Sequence, residues 1–155
     1  ANAMSSLNAL KVAVQVAERR RDAARQALRE AQRIQQAGQA QLDQLTGYAH
    51  ETRHRWGLRA DSIVQPEVMY HHYQFMGKLE HAIGLQTTVA AEQAQRVDKA
   101  RAVLVAAELR LASLQKVVER MQRELATVQM RREQKQTDEF AAQRSATRRT
   151  YRPGE

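Results

Sequence analysis

His50 and His54 stand four residues apart in "HETRH", and His72 follows in the next segment. Imidazoles at i and i+4 share one face of a helix, which is a common start for a metal site. A site also needs its ligands to converge. On the heptad described below, His50 and His54 fall at the outward b and f positions, while His72 falls in the seam. No metal is therefore expected. The adjacent acids Asp138 and Glu139 diverge by about 100° on a helix and make a poor general acid/base pair. The sequence holds no P-loop, no nucleophile-elbow serine and no zinc-protease helix. With no cysteines, it has no disulfide, thiolate ligand or cysteine nucleophile, which fits a reducing compartment. No catalytic residue and no cofactor is expected, and the chain reads as a binding or structural protein rather than an enzyme.

What such a chain can bind is bounded by its charge. It has 155 residues, 25 of them Lys or Arg against 17 Asp or Glu, for a net +8. An excess of that sign suits an acidic partner: nucleic acid, an anionic surface or an acidic protein cavity. Nucleic-acid binding predicts stacking aromatics among the arginines. Tyr151 is the only aromatic in the terminal basic cluster, so a basic nucleic-acid-binding hairpin is the weaker alternative and no nucleic acid is expected. No run of about 18 apolar residues is present, so no membrane span is expected. No apolar signal core follows the start, and "ANA" before Met4 reads as a cloning scar. The expected location is the cytoplasm.

The elements that must position these residues are helices. Aromatics are only 5% of the chain and much of the apolar content is alanine, which suits long helices better than a globular core. In alternating steps of three and four from Leu7, the positions run through Leu10, Val14, Ala17, Ala24, Leu28, Leu42, Leu45 and Ala49 to Trp56. This is a heptad seam. Arg21, Gln35 and Gly38 weaken it, and a glycine inside a helix costs about 1 kcal/mol relative to alanine, so a bend is expected mid-helix. Gly57 is expected to end the helix and Asp61 or Ser62 to start a turn, with Pro66 and Glu67 opening a second helix. A second seam then runs from Met69 through Met76, Leu79, Ile83, Val97, Leu104 and Leu111 to Val118, Met121, Leu125 and Val128. The expected fold is all-α, a long two-helix antiparallel coiled-coil hairpin. Its expected parts are helix one over about 5–57, a tip over 58–66, helix two over about 67–145 and a basic tail over 146–155, all in one domain over 4–155. In antiparallel pairing, facing residue numbers sum to 121 or to 128. Either value leaves Leu125 and Val128 unpaired, so the end of helix two is expected to overhang as an exposed seam.

Two flanks carry further information. Tyr48 and Phe75 each precede an a position, so both are g positions on the same flank. Gln41–Leu45–Tyr48 and Phe75–Leu79–Ala82 share one spacing, and the heights match. The two rings either close over the seam edge or anchor another protein. Phe140 is a b position beyond the reach of helix one, followed by Arg144, Arg148, Arg149 and Arg152. It either packs locally at a helix end or is held outward for a partner. Helix one carries Arg19, Arg20, Arg21, Arg25, Arg29 and Arg33. Singly, each of these arginines reads as part of a solvated face.

Three stretches, "QQAGQAQLDQLTGYAHE", "YQFMGKLEHAI" and "QKQTDEFAAQR", together resemble the FliJ family of bacterial flagellar export proteins, from about Leu7 to Arg149. The resemblance implies a small antiparallel coiled coil similar to that of the rotary ATP synthase γ subunit. It implies a stalk-like, non-enzymatic part of the flagellar export machinery that binds the hexameric export ATPase with its helix termini and promotes its assembly and activity. Further implied partners are the cytoplasmic domain of the export-gate membrane protein FlhA and free export chaperones. The implied location is peripheral, at the inner face of the cell membrane. The family's gate-binding surface carries over to Gln41, Leu45, Tyr48, Phe75, Leu79 and Ala82, while Thr52 and Gln86 depart from its pattern. "TDEFA" matches the family's C-terminal motif, which places Phe140 at the ATPase-binding end with Val118, Met121, Leu125, Val128, Arg144 and Arg148. The stalk protein of a virulence type III secretion system is the alternative in the same class.

Overall fold

The computed structural model describes residues 2–58 and 64–150. It contains two helices, α1 (Asn2–Leu58, 57 residues) and α2 (Pro66–Thr150, 85 residues), packed as an antiparallel hairpin. All 15 seam positions of α1 from Leu7 to Trp56 are buried or half-buried, and so is every α2 seam position from Met69 to Leu125. The apolar stripe thus forms the core, as period-3.5 patterning requires. The expected turn residues Asp61 and Ser62, and the tail residues Tyr151 and Arg152, lie outside the described residues.

The helix ends differ from expectation in three places. α1 passes through Gly57 to Leu58, and it begins at Asn2 instead of near residue 5. α2 runs to Thr150 instead of about 145. Its start follows the expected chemistry: Pro66 is the first helical residue and Glu67 sits in the first turn. The Gln65 carbonyl accepts from the amides of Val68 and Met69 at 3.1 and 3.2 Å, so it caps the ladder that proline cannot donate to.

The hairpin divides into two units, one of Arg20–Glu108 and one of Ala1–Arg19 with Leu109–Glu155. In the first, Ala49, Met76 and Leu79 form a buried cluster that Leu45 and Ile83 pack against. Trp56 stacks on His72 with ring centroids 3.9 Å apart and planes at 24°. Trp56 and His72 have numbers summing to 128, and the two flank pairs below, at 133 and 123, centre on the same value, which decides between the two registers. The flanks follow from it. On one flank Arg53 Nη2 meets Glu80 Oε1 at 2.7 Å, numbers summing to 133. On the other Tyr48 meets Phe75, numbers summing to 123.

The seam of this unit is not uniformly apolar. No break occurs at Gly38, where the missing side chain makes room for a polar layer instead. Gln86 Nε2 donates to the Gly38 carbonyl at 3.0 Å. The Gln93 amide lies against Gly38, so that a β-carbon there would overlap it. Gln93 Oε1 is buried without a hydrogen-bond partner.

In the second unit, Leu7, Ala17 and Leu111 are buried, and Leu10, Val14, Leu114, Val118, Met121 and Leu125 are half-buried. The expected exposed overhang over Val118–Val128 is therefore corrected: of its seam residues only Val128 is exposed. Beyond Val128 the seam positions become Arg132, Lys135, Glu139 and Ala142, and every residue to Thr150 is exposed. Those side chains make a solvated face that offers no apolar stripe to a further coil.

Two stability measurements check this packing. Leu79→Ala removes a side chain that is only 8% exposed. It is expected to cost about 2–5 kcal/mol in chemical denaturation followed by circular dichroism. Gln93→Leu, by contrast, is expected to raise the denaturation midpoint, because an unpaired buried amide oxygen costs about 1–3 kcal/mol. A lowered midpoint would mean that the Gln93 amide is satisfied in solution.

Candidate functional site

The surface expected to bind the gate lies wholly in the unit of Arg20–Glu108. The edge of one ring points at the face of the other between Tyr48 and Phe75, with centroids 5.9 Å apart and planes at 88°. The pair is open to water, Tyr48 being 51% and Phe75 42% exposed. An edge-to-face pair contributes about 0.5–1.5 kcal/mol beyond area burial, so the rings brace each other across the two helices. The rings touch over the seam edge, and about half of each remains exposed.

The other expected residues separate into two layers. Gln41 is exposed, and Leu45 and Ala82 are half-buried. Leu79 sits in the core against Ala49 and Met76, so it supports this surface from beneath. The two departures from the family pattern are turned to the chain's own backbone: Thr52 Oγ1 donates to the Tyr48 carbonyl at 2.8 Å, and Gln86 Nε2 to that of Gly38. Thr52 is thereby turned away from the stripe, while Gln86 still lines the groove beside it.

Next to the rings lies a groove of about 480 Å³, which Gln41, Leu45, Tyr48 and Ala82 line together with Gln44, Leu85 and Val89. Gln44, Leu85 and Val89 escaped the sequence reading. Their signal was present, since Val89 is a g position one heptad after Ala82 and Leu85 is the apolar c position between them. No charged residue lines the groove. On the opposite flank the exposed Arg53–Glu80 ion pair spans the same two helices.

The residues expected to bind the ATPase belong to the other unit. Val118, Met121 and Leu125 are half-buried against their own chain, and Val128 is open. Phe140 is 60% exposed. It is not bare, because the Arg144 guanidinium stands 5.1 Å from its ring centroid. One turn apart on a helix, the two form a cation–π pair worth about 0.5–1 kcal/mol at an exposed site. Arg148 is exposed one turn further on.

The remaining sequence candidates do not assemble. His50 and His54 are exposed, while His72 is half-buried on Trp56. No group of three or more metal-ligating side chains occurs among the described residues. Of the α1 arginines, Arg33 pairs with Glu30 at 2.6 Å. That hydrogen bond holds the Glu30 carboxyl below its usual range and raises the guanidinium in turn. Arg21 pairs with Asp22 at 3.0 Å. No described helix is long and apolar enough to cross a membrane.

Among known families, the one described as "Flagellar FliJ protein" matches residues 6–150, nearly the whole chain. Comparison with curated proteins and with solved structures gave no match. A two-helix antiparallel coiled coil, with the family pattern running from the first turns of α1 to the end of α2, leads to one conclusion. The chain belongs to the FliJ family and is a component of the flagellar type III protein export apparatus.

Proposed function

We propose that this export component acts as a non-enzymatic coupling protein, binding the cytoplasmic domain of the export-gate membrane protein through the Tyr48–Phe75 flank and the hexameric export ATPase through the last turns of α2. The observation that carries the reading is the half-exposed ring pair. Large aromatic surface held rigidly on two helices and left in water is the usual anchor of a protein interface. Burying such a ring completely contributes about 1.5–3 kcal/mol. Gln41, Leu45 and Ala82 complete the contact, and Leu79 holds it from the core.

The ATPase contact has a different chemistry. Residues 129–150 carry six basic and three acidic side chains, all exposed, around Phe140. That stretch suits an acidic or carbonyl-lined channel with one apolar recess. Arg144 and Arg148 give the long-range attraction, and Phe140 gives the short-range anchor. Val128 adds apolar surface, while the half-buried Val118, Met121 and Leu125 keep the helix in place. Free export chaperones are further partners in this reading. The chain works in the cytoplasm and reaches the inner face of the membrane only through the apparatus it binds.

The test is a binding assay of purified chain against the gate's cytoplasmic domain and against the ATPase. Tyr48→Ala and Phe75→Ala are expected to weaken gate binding while costing about 1 kcal/mol of stability, the worth of the ring contact. Large melting losses with unchanged affinity would assign the rings to the core instead. For the ATPase, Phe140→Ala is expected to raise Kd about tenfold, equivalent to about 1.4 kcal/mol, with a melting-temperature shift no larger than loss of the exposed cation–π pair causes. Arg144→Ala and Arg148→Ala should slow association and flatten its salt dependence. If removal of residues 137–155 leaves ATPase binding intact, this assignment is lost.

A further inference from the structure

We infer that α2 beyond Val128 is a conditional helix: in the free chain its last turns open and close on their own, and a bound partner holds them closed. The opening rests on this chain alone. The closing rests on the ATPase reading above and adds that the contact forms by folding the arm onto its partner.

The packed part of α2 and the arm after it differ in what holds them. Up to Leu125 every seam residue is buried or half-buried, so unwinding a turn there brings apolar surface into water. From Gln129 to Thr150 every residue is exposed, so unwinding there uncovers nothing that was buried. Helices in proteins are held mainly by packing an apolar face, and this stretch packs none. What remains is local. Gln129 Nε2 donates to Glu133 Oε1 at 3.2 Å and Gln134 Nε2 to Asp138 Oδ1 at 3.1 Å, both in contact with water. Arg144 stands over the Phe140 ring. Among the described residues no ion pair forms within the arm. Two pairs of like charge, Arg131 with Lys135 and Arg144 with Arg148, stand one turn apart and oppose the helix. Thr137, Thr147 and Thr150 each turn a hydroxyl back to a carbonyl of the preceding turn, and threonine is a weaker helix former than alanine. The arm grows from a helix already formed, so it needs no new nucleus, and it opens turn by turn with a propagation constant of about one.

The epitope depends on that equilibrium. Phe140, Arg144 and Arg148 follow one another at intervals of four residues, so they share one stripe only while the backbone is helical. A partner with negative potential and an apolar recess offsets the like-charge pair and covers the ring, and both effects favour the closed arm. The observed affinity is then that of the closed arm reduced by the fraction of time it is closed. Residues that never touch the partner thereby set the strength of the contact.

The test uses the full chain and the purified ATPase hexamer. In the free chain, amide hydrogens of residues 133–150 are expected to exchange about tenfold or more faster than those of residues 111–128, and to slow about tenfold when the ATPase is bound. Ala142→Gly/Ala146→Gly removes only methyl groups, on the side of the helix turned away from Phe140 and Arg144. It is expected to raise Kd about tenfold, because glycine favours the open arm. Ala102→Gly, at an exposed site in the packed part of α2, is the control and should change Kd less than about twofold. Ser145→Ala is expected to lower Kd about twofold, since alanine is the stronger helix former. Exchange in the free arm as slow as in residues 111–128 overturns the inference. A glycine variant that binds like the parent, while removal of residues 137–155 abolishes binding, also overturns it; the ATPase reading then stands and the arm is a preformed helix. If that removal leaves binding intact, the ATPase reading and this inference fail together.

Discussion

The register of the seam between α1 and α2 is the constraint on which the rest depends. Trp56 stacked on His72 holds facing numbers at a sum of 128. A shift of one heptad to 121 would keep apolar residues facing apolar residues and would leave the binary pattern satisfied. It would also carry Tyr48 away from Phe75 and Arg53 away from Glu80, since each flank pair meets at one height only. The surface is a consequence of the core alignment. The stacked tip pair is well suited to set it: at a sum of 121 Trp56 would lie level with Gln65, before α2 begins, and the stack on His72 would be lost.

The polar layer at Gly38 belongs to the same logic. Gly38, Gln86 and Gln93 interrupt a mostly apolar seam, and one amide oxygen there is left without a partner. In coiled coils a polar residue at a seam position lowers stability and penalises competing registers. Here the glycine permits a backbone carbonyl to serve as the acceptor, so that Gln86 is satisfied only when it faces Gly38. A shift of one heptad would bury the amide against a side chain instead.

The two candidate surfaces recognise by different physics. The flank near Tyr48 is neutral and braced by two rings, so what it binds must match it in shape and bury apolar area. The end of α2 is fully solvated and basic, with one ring under one guanidinium. What it binds must supply negative potential first and a recess second. Of these two kinds of contact, only the charged one weakens as ionic strength rises.

Much of this was legible in the residues themselves. Steps of three and four located both helices and their core faces, because helix period and heptad period nearly coincide and burial follows the apolar stripe. Heptad phase alone put Tyr48 and Phe75 on one flank and Phe140 on the outer face. What the sequence left open was decided by the pairing of the helices. Two registers satisfied the same apolar pattern, and only the fit of particular side chains selected one. At Gly38, where the helix runs unbroken, the missing side chain became a polar contact because a partner helix lay there to fill the gap. Leu125 was read as unpaired and is half-buried, since where α1 begins depends on whether its first turns find something to pack on. Leu85 and Val89 were plain apolar residues in one dimension, and became the edge of a groove only once α2 lay against α1. Local pattern specifies which face of a helix turns inward. Which residues of the partner it meets is a property of two surfaces together, and that belongs to the tertiary structure.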